Sequence, residues 1–416
     1  MRKWWRGVAF MALGVAGTAS AQAPLGPGSD GRPPITEPVP LAPSALGNLP
    51  SSMTSSLGIH PGTAPAQPQV PDSPNSLPGD ISNAWAQDED YEPGTWYSSL
   101  GFLGLQRQKL GNSVAALQDT ASGGIDTGNP PPAGAPVAAN FNDISPRFNY
   151  GTRVTVGYHW DTSAIEASGF YMSQSTASRT YANPGRLDTF FNVNGNPLNA
   201  PLGFEGDNGM WLQDDILRLQ FNTAMGSGEV NYRWWLGKDS DFSWSIGVRF
   251  LDLYERLGFY AGDDDLTVFG SNGKPDPVLQ ATYTTTTQNR LVAPQLGLEW
   301  DKAINTWLAF TLTAKGAWGA NFLDVNTLLQ RGDGLVGFAG GRSQTIFSQM
   351  YEGGAFLDFY LMDNARLRAG YNLMWIVDVA EAVDQIDYNL ANQNGRTNNH
   401  GSVFYHGPSV EFQVVF

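Results

Sequence analysis

Along most of the chain the hydrophobic residues recur with a period of two. Between Phe148 and Trp160 every second residue (Phe148, Tyr150, Thr152, Val154, Val156, Tyr158, Trp160) is apolar, aromatic or β-branched, with Asn149, Gly151, Arg153, Thr155, Gly157 and His159 between them. Strands put alternate side chains on opposite faces, so such a segment has one greasy face and one wet or small one. The same alternation returns in Leu308, Phe310, Leu312, Ala314, Gly316 and Trp318, and again in Leu367, Ala369, Tyr371, Leu373 and Trp375. No apolar run is long enough for a membrane helix.

Alternation of this kind predicts ten strands, at 96–105, 148–160, 163–173, 215–237, 242–260, 281–300, 307–321, 344–360, 364–378 and 402–416. Short connections (161–162, 237–241, 301–306, 361–363) alternate with long ones (106–147, 174–214, 261–280, 322–343, 379–401). That parity is the one an up-and-down barrel shows, with short turns on one side of a membrane and long loops on the other. Gly226 and Gly228 are read as a bulge within one strand rather than a turn, since a turn there gives an odd count. Twelve strands, with a pair hidden in the long loops, is the alternative. A soluble β-sandwich is the structural rival. Against it, the polar face carries full charges, and Trp and Tyr bracket the apolar one, as in the aromatic girdles of transmembrane barrels.

The chain ends on the pattern itself: Phe404, His406, Pro408, Val410, Phe412, Val414 and Phe416 share one face. An aromatic terminus on an alternating strand resembles the signal read by the barrel-assembly machinery of outer membranes. Phe412, Val414 and Phe416 are therefore expected to form it.

The first part of the chain has another texture. Arg2, Lys3 and Arg6 precede an apolar stretch from Gly7 to Gly17, and Ala19-Ser20-Ala21 offers a cleavage site, so residues 1–21 read as a secretory signal peptide. Residues 22–95 hold more than half of the 27 prolines and very few aromatics, which predicts a disordered periplasmic spacer. The barrel is expected over 96–416. Composition narrows the function further. The formal charge is −15 and the basic residues are scattered, which excludes nucleic acid as a partner. Absence of cysteine removes disulfides and thiolate chemistry. The acidic run Asp263, Asp264, Asp265 reads as an exposed turn tip rather than a calcium site, and neither a metal nor another cofactor is expected.

With the apolar faces turned to lipid, Arg153, Glu166, Arg233, Arg249, Glu255, Glu299, Lys315, Glu352, Asp358, Arg366 and Arg368 point inward. They are expected to form a charge network in the lumen, Asp358 opposite Arg366 across a turn. Leu251, Leu253 and Met374 share that interior. A ten-stranded barrel has little room for all of them. Catalysis has little footing: His60 lies in the spacer, His159 at the rim, His406 faces lipid and His400 has no partner assignable from sequence. No GxSxG, HExxH or P-loop string occurs.

The strings GEVNYRWWL, WSIGVRFLDLYERL, TQNRLVAPQLGLEW and RLRAGYNLMWIVDVAEAVDQI resemble a planctomycete-type family of outer-membrane β-barrel porins, the seventh such barrel family. The resemblance rests on Glu229, Asn231 and Arg233; on Gly247, Arg249 and Glu255; and on Arg368, Gly370, Tyr371, Asn372, Trp375, Asp384 and Gln385. It implies an outer-membrane barrel. Two functions compete: a small passive pore for ions or small solutes, and a plugged barrel with a structural, anchoring or surface-recognition role. An enzyme is not expected. The partners expected are outer-membrane lipids and the barrel-assembly machinery.

The terminal signal is directly testable. Deleting Phe416 is expected to lower the membrane-inserted yield far more than deleting residues 24–78, measured on immunoblots of purified outer membranes. Equal yields contradict the signal.

Overall fold

A computed structural model describes residues 94–111, 113–118, 134–191, 200–205, 210–237, 240–262, 276–392 and 398–416. The chain divides into two units, Met1–Asp72 and Ser73–Phe416. The expected signal peptide and spacer, and Asp263, Asp264 and Asp265, lie outside the described residues.

Twelve strands are assigned among the described residues: β1 (Thr95–Arg107), β2 (Val114–Gln118), β3 (Val137–Asn140), β4 (Phe148–Trp160), β5 (Ser163–Thr189), β6 (Asp214–Trp235), β7 (Phe242–Gly262), β8 (Gln280–Asn305), β9 (Leu308–Arg331), β10 (Val336–Met362), β11 (Ala365–Val379) and β12 (Gly401–Val415). Ten of them form a closed antiparallel ring in the order β1, β4 to β12 and back to β1, the last seam running from Tyr97 opposite Val415 to Arg107 opposite Tyr405. Phe416 completes the seam: its N–H donates to the Trp96 carbonyl at 2.8 Å and its carbonyl accepts from the Trp96 N–H at 3.2 Å. In lipid every backbone group must pair internally, and closure satisfies this without leaving an edge. β2 and β3 stand outside the ring as a short hairpin, β2 pairing with the far end of β5 through Ala116 opposite Thr189. The two extra strands therefore lie in the first long connection without crossing the membrane.

Several boundaries differ from the sequence reading. β5 continues to Thr189 instead of ending at 173, and the stretch 322–343 is a hairpin rather than a loop. The reason lies in an inversion of polarity. On β7 the outward residues Phe242, Trp244, Ile246, Val248 and Phe250 are all exposed and apolar, but the outward positions that follow are Asp252, Tyr254 and Arg256. On β9 the outward apolar run reaches Phe322, after which Asp324, Asn326 and Gln330 face out with only Leu328 apolar among them, while Leu323, Val325 and Leu329 are buried within. Strands of 21 to 27 residues exceed the roughly 10 needed to span a bilayer, so the excess stands in water as an ordinary apolar-cored barrel. There, greasy residues point inward and the lipid-facing signature vanishes.

The bulge also moves. Gly226 and Gly228 pair in unbroken register with Asp252 and Phe250 of β7. The extra residue sits in β5, between Met172 (opposite Met225) and Ser175 (opposite Thr223). It switches the inward phase of β5 from Phe170 and Met172 to Ala177. The connection between β8 and β9 is likewise shorter than expected, only Thr306 and Trp307.

Position along one strand should thus decide the cost of a charge. Val248→Arg is expected to destabilise by about 2 to 4 kcal/mol, and Asp252→Arg, on the same outward face beyond the band, by little. Urea titration of the barrel refolded in liposomes measures both, with the heat-modifiable gel shift reporting the folded fraction.

Candidate functional site

The interior is layered. Nearest the short turns lies a charged tier. Arg233 donates through Nε to Glu166 Oε2 at 3.1 Å, and its Nη1 lies 3.0 Å from Glu299 Oε1. Tyr97 donates its hydroxyl to the other Glu166 oxygen at 2.5 Å. Arg368 grips Asp358 with two bonds, Nε to Oδ1 at 2.7 Å and Nη2 to Oδ2 at 3.1 Å. This corrects the expected partner: the register puts Asp358 opposite Arg368, and Tyr360 opposite Arg366. The β10–β11 turn is shifted by two residues from the symmetric placement assumed for it, and Arg366 reaches across the next seam to donate to Gln413 Oε1 at 2.8 Å.

A second tier follows one turn of side chains further in. Arg249 of β7 crosses the lumen to Glu352 of β10, Nη1 to Oε2 at 2.5 Å, and lies 3.4 Å from Glu229 on the neighbouring β6. Glu352 also accepts from Arg153 of β4 at 3.3 Å, and Glu229 from Lys315 of β9. Gln295 donates to Glu229 at 2.8 Å and to Asn231 at 2.6 Å. Glu229 and Asn231, singled out only through the family resemblance, therefore sit inside this network. Gly247 makes room for it, since a Cβ there would run into Asn231 Oδ1 and the Val230 carbonyl. Pairing of this density offsets the cost of holding charges away from water.

Above these tiers the lumen is apolar. Leu103, Leu105, Phe170, Met172, Met225, Leu251, Leu253, Leu291, Met350, Met374, Ile376 and Tyr405 belong to one contiguous cluster, fed by nine of the ten ring strands. The tenth, β4, contributes Asn149, also buried, whose amide donates to the Thr223 carbonyl at 3.2 Å. In the charged tiers Arg153, Arg233 and Lys315 keep 11–23% of their side-chain surface exposed, although Arg249 and Asp358 keep only 3% and 1%, whereas Leu251, Leu253 and Met374 are 0–1% exposed.

Glu255 does not join the other charges. It lies beyond the apolar belt, fully buried, and accepts from Arg107 Nε at 2.7 Å. Arg107 is equally buried and its Nη2 also donates to Glu381 Oε2 at 2.7 Å. The alternation of the sequence places the first strand at 96–105 and so leaves out Arg107, although its parity with Leu103 and Leu105 is the signal for it. Glu381 lay in a long loop, where no periodicity could indicate it.

Of the remaining family positions, Gly370 is crowded by the Ala355 carbonyl and the Phe356 ring. Asn372 donates to Ser409 Oγ at 2.7 Å. Tyr371 and Trp375 face outward, the first 2.5 Å from His406 Nδ1 and the second 5.9 Å from the Tyr351 ring. Gln385 accepts from Arg342 at 2.7 Å, and Asp384 from Asn398 at 3.1 Å, both over the outer mouth. His400 does have a neighbour, Asp378 Oδ1 at 3.3 Å, in an exposed position. Phe412 and Phe416 are exposed on the outer face of β12.

The second tier carries a quantitative expectation. Arg249→Ala leaves Glu352 and Glu229 with weaker compensation in a desolvated site, a loss of about 3 kcal/mol at the low end of the usual range because Arg153 and Lys315 remain. Lys302→Ala breaks an exposed pair with Asp241 and should cost under about 1 kcal/mol. Thermal midpoints in detergent, followed by the heat-modifiable gel shift, distinguish the two.

Among solved structures, the chain is similar to the outer membrane protease OmpT from Escherichia coli (11% identity, 79% of this chain and 99% of that one, TM-score 0.39). It is also similar to the translocator domain of the autotransporter NalP from Neisseria meningitidis (12%, 80% and 92%, TM-score 0.31) and to the Pseudomonas putida toluene transporter TodX (9%, 81% and 94%, TM-score 0.29). No curated protein matches the sequence. The model of the family described as "Putative beta barrel porin-7" matches residues 111–413, nearly the whole ring, and the chain belongs to that family of outer-membrane β-barrels.

Proposed function

We propose that this protein is a sealed outer-membrane barrel with an anchoring and surface-presenting role, rather than an open pore. The observation that carries the reading is the apolar belt: buried side chains from nine strands meet in the lumen, midway between the charged tiers and the outer mouth. A water column needs a continuous wetted wall, and Leu251, Leu253 and Met374 are essentially inaccessible to solvent. The charges on the side of the short turns pair with one another, which supports a role in stability rather than in selecting ions.

Outside, the girdle of Trp96, Tyr232, Trp244, Trp307 and Trp375 supports anchoring among outer-membrane lipids. Beyond the lipid band the barrel continues with Arg218, Arg256 and Asn326 exposed, a polar surface offered to the exterior. Insertion by the barrel-assembly machinery through Phe412, Val414 and Phe416 is part of the same proposal. The family description as a porin favours the second reading, a passive pore for small solutes entered from the partly wet charged tiers.

Single-channel recording separates the two. The purified barrel in planar bilayers is expected to give no stable conductance steps, and Leu253→Gly with Met374→Gly to introduce them. Steady ohmic conductance of the unaltered protein overturns the sealed reading.

A further inference from the structure

After β11 the chain does not arch away from the barrel but turns down into its outer mouth. Residues 380–390 run across the lumen above the belt, with Ala380, Ala382, Val383, Ile386 and Leu390 buried. Their backbone is seated by inward side chains of other strands. Asn289 of β8 holds the Ala380 peptide at both ends, Nδ2 donating to the carbonyl at 3.0 Å and Oδ1 accepting from the N–H at 3.1 Å. Thr285 donates to the Ala382 carbonyl at 2.6 Å, and Glu255 Oε2 accepts from the Ala382 N–H at 3.1 Å.

The weak point of this seat is its charge. One guanidinium, Arg107 of β1, is shared by two carboxylates, Glu255 of β7 and Glu381 of the strap. Arg107 and Glu255 have no exposed side-chain surface and Glu381 has little. Around them, Tyr405 of β12 is bonded to Thr223, Phe221 of β6 covers Arg107, the Ser402 N–H donates to Glu381 Oε1 at 3.0 Å, Asp384 of the strap is a further acid, and Arg342 of β10 donates to Gln385 of the strap at 2.7 Å. With both carboxylates ionised, the site holds a net negative charge away from water. With Glu381 protonated it is neutral.

We propose that residues 380–390 form a pH-sensitive strap over the outer mouth, held down while Glu381 is protonated and loosened when it ionises. Burial, and then the neighbouring Glu255, push the Glu381 carboxyl up to about 7 against the opposing pull of Arg107. The sign follows from linkage: a carboxyl whose pKa is higher when docked than when free binds its proton more tightly in the docked state. Docking is therefore strongest at acid pH and weakens as pH rises from the ordinary carboxylate range to about 7. The proposal is independent of whether the belt conducts, because the strap lies above it.

The chain contains no cysteine, so an introduced thiol is unique. Val383→Cys places it on the buried side of the strap, and Gln330→Cys places it on an exposed outer position as the reference. The ratio of their rates with a water-soluble maleimide cancels the ionisation of the thiol itself. Between pH 6 and pH 9 this ratio is expected to rise at least about tenfold, since one pKa unit is a tenfold change in docking. In Glu381→Gln it should stay low and flat, and that variant should keep its thermal midpoint at pH 9 better than the wild type does. Leu390→Cys repeats the measurement if Val383→Cys fails the heat-modifiable folding check. A flat ratio in the wild-type background, or an undiminished rise in Glu381→Gln, overturns the proposal.

Discussion

Inside a bilayer a peptide group has no water to turn to, and this single constraint shapes the rest of the molecule. A sheet that crosses lipid must close on itself, which is why the terminal Phe416 is bonded at both its N–H and its carbonyl to Trp96 near the start of the ring. Closure then sets the interior. Ten strands enclose a space that inward side chains can fill, so inward residues can meet neighbours across the lumen as well as along the sheet. Arg249 on β7 and Glu352 on β10 are partners only because the sheet is a ring.

The two halves of the barrel solve the filling problem with different chemistry. Where lipid surrounds the wall, the outer face must be apolar and the charged residues are left inside, paired in the tiers built on Arg233, Arg249 and Arg368. Where water surrounds it, the rule is reversed: Phe221, Phe259, Tyr283 and Leu329 fill the interior as in a soluble core, and Arg218 and Arg256 face out. The apolar belt is the junction of the two regimes. Its buried side chains meet in the lumen, with Asn149 and the Tyr405–Thr223 hydroxyl pair as polar groups among them.

Just above that junction, Arg107 and Glu255 lie beyond the reach of solvent. A buried ion pair of this kind contributes little net stability by itself. Its consequence is positional: Glu255 and Arg107 between them hold the Ala382 N–H and the Glu381 carboxylate, tying a loop far along the chain to the first and seventh strands. The side chains of Asn289 and Thr285 hold the same loop through its peptide groups, a contact that depends on backbone geometry and not on the residue at 380 or 382.

Alternation in the sequence determined the class of fold, the ten crossing strands and the inward phase of residues such as Arg153, Lys315 and Asn372, because a strand's period of two leaves a face assignment no freedom once one face is known to be apolar. It did not determine how far those strands run, since beyond the membrane the outward face becomes polar and the pattern that marks a lipid-spanning strand disappears, as at Asp252 and Asp324. Register within a turn escaped it as well, and with it the choice of Arg368 over Arg366 for Asp358. Residues in loops carry no period at all, so Glu381, Ala380 and Ala382 were invisible as lumen elements. Only the closed tertiary structure brings them to Arg107 and Asn289, because contact across a barrel depends on the ring's curvature and on the path of a loop, and neither leaves a local trace in the order of the amino acids.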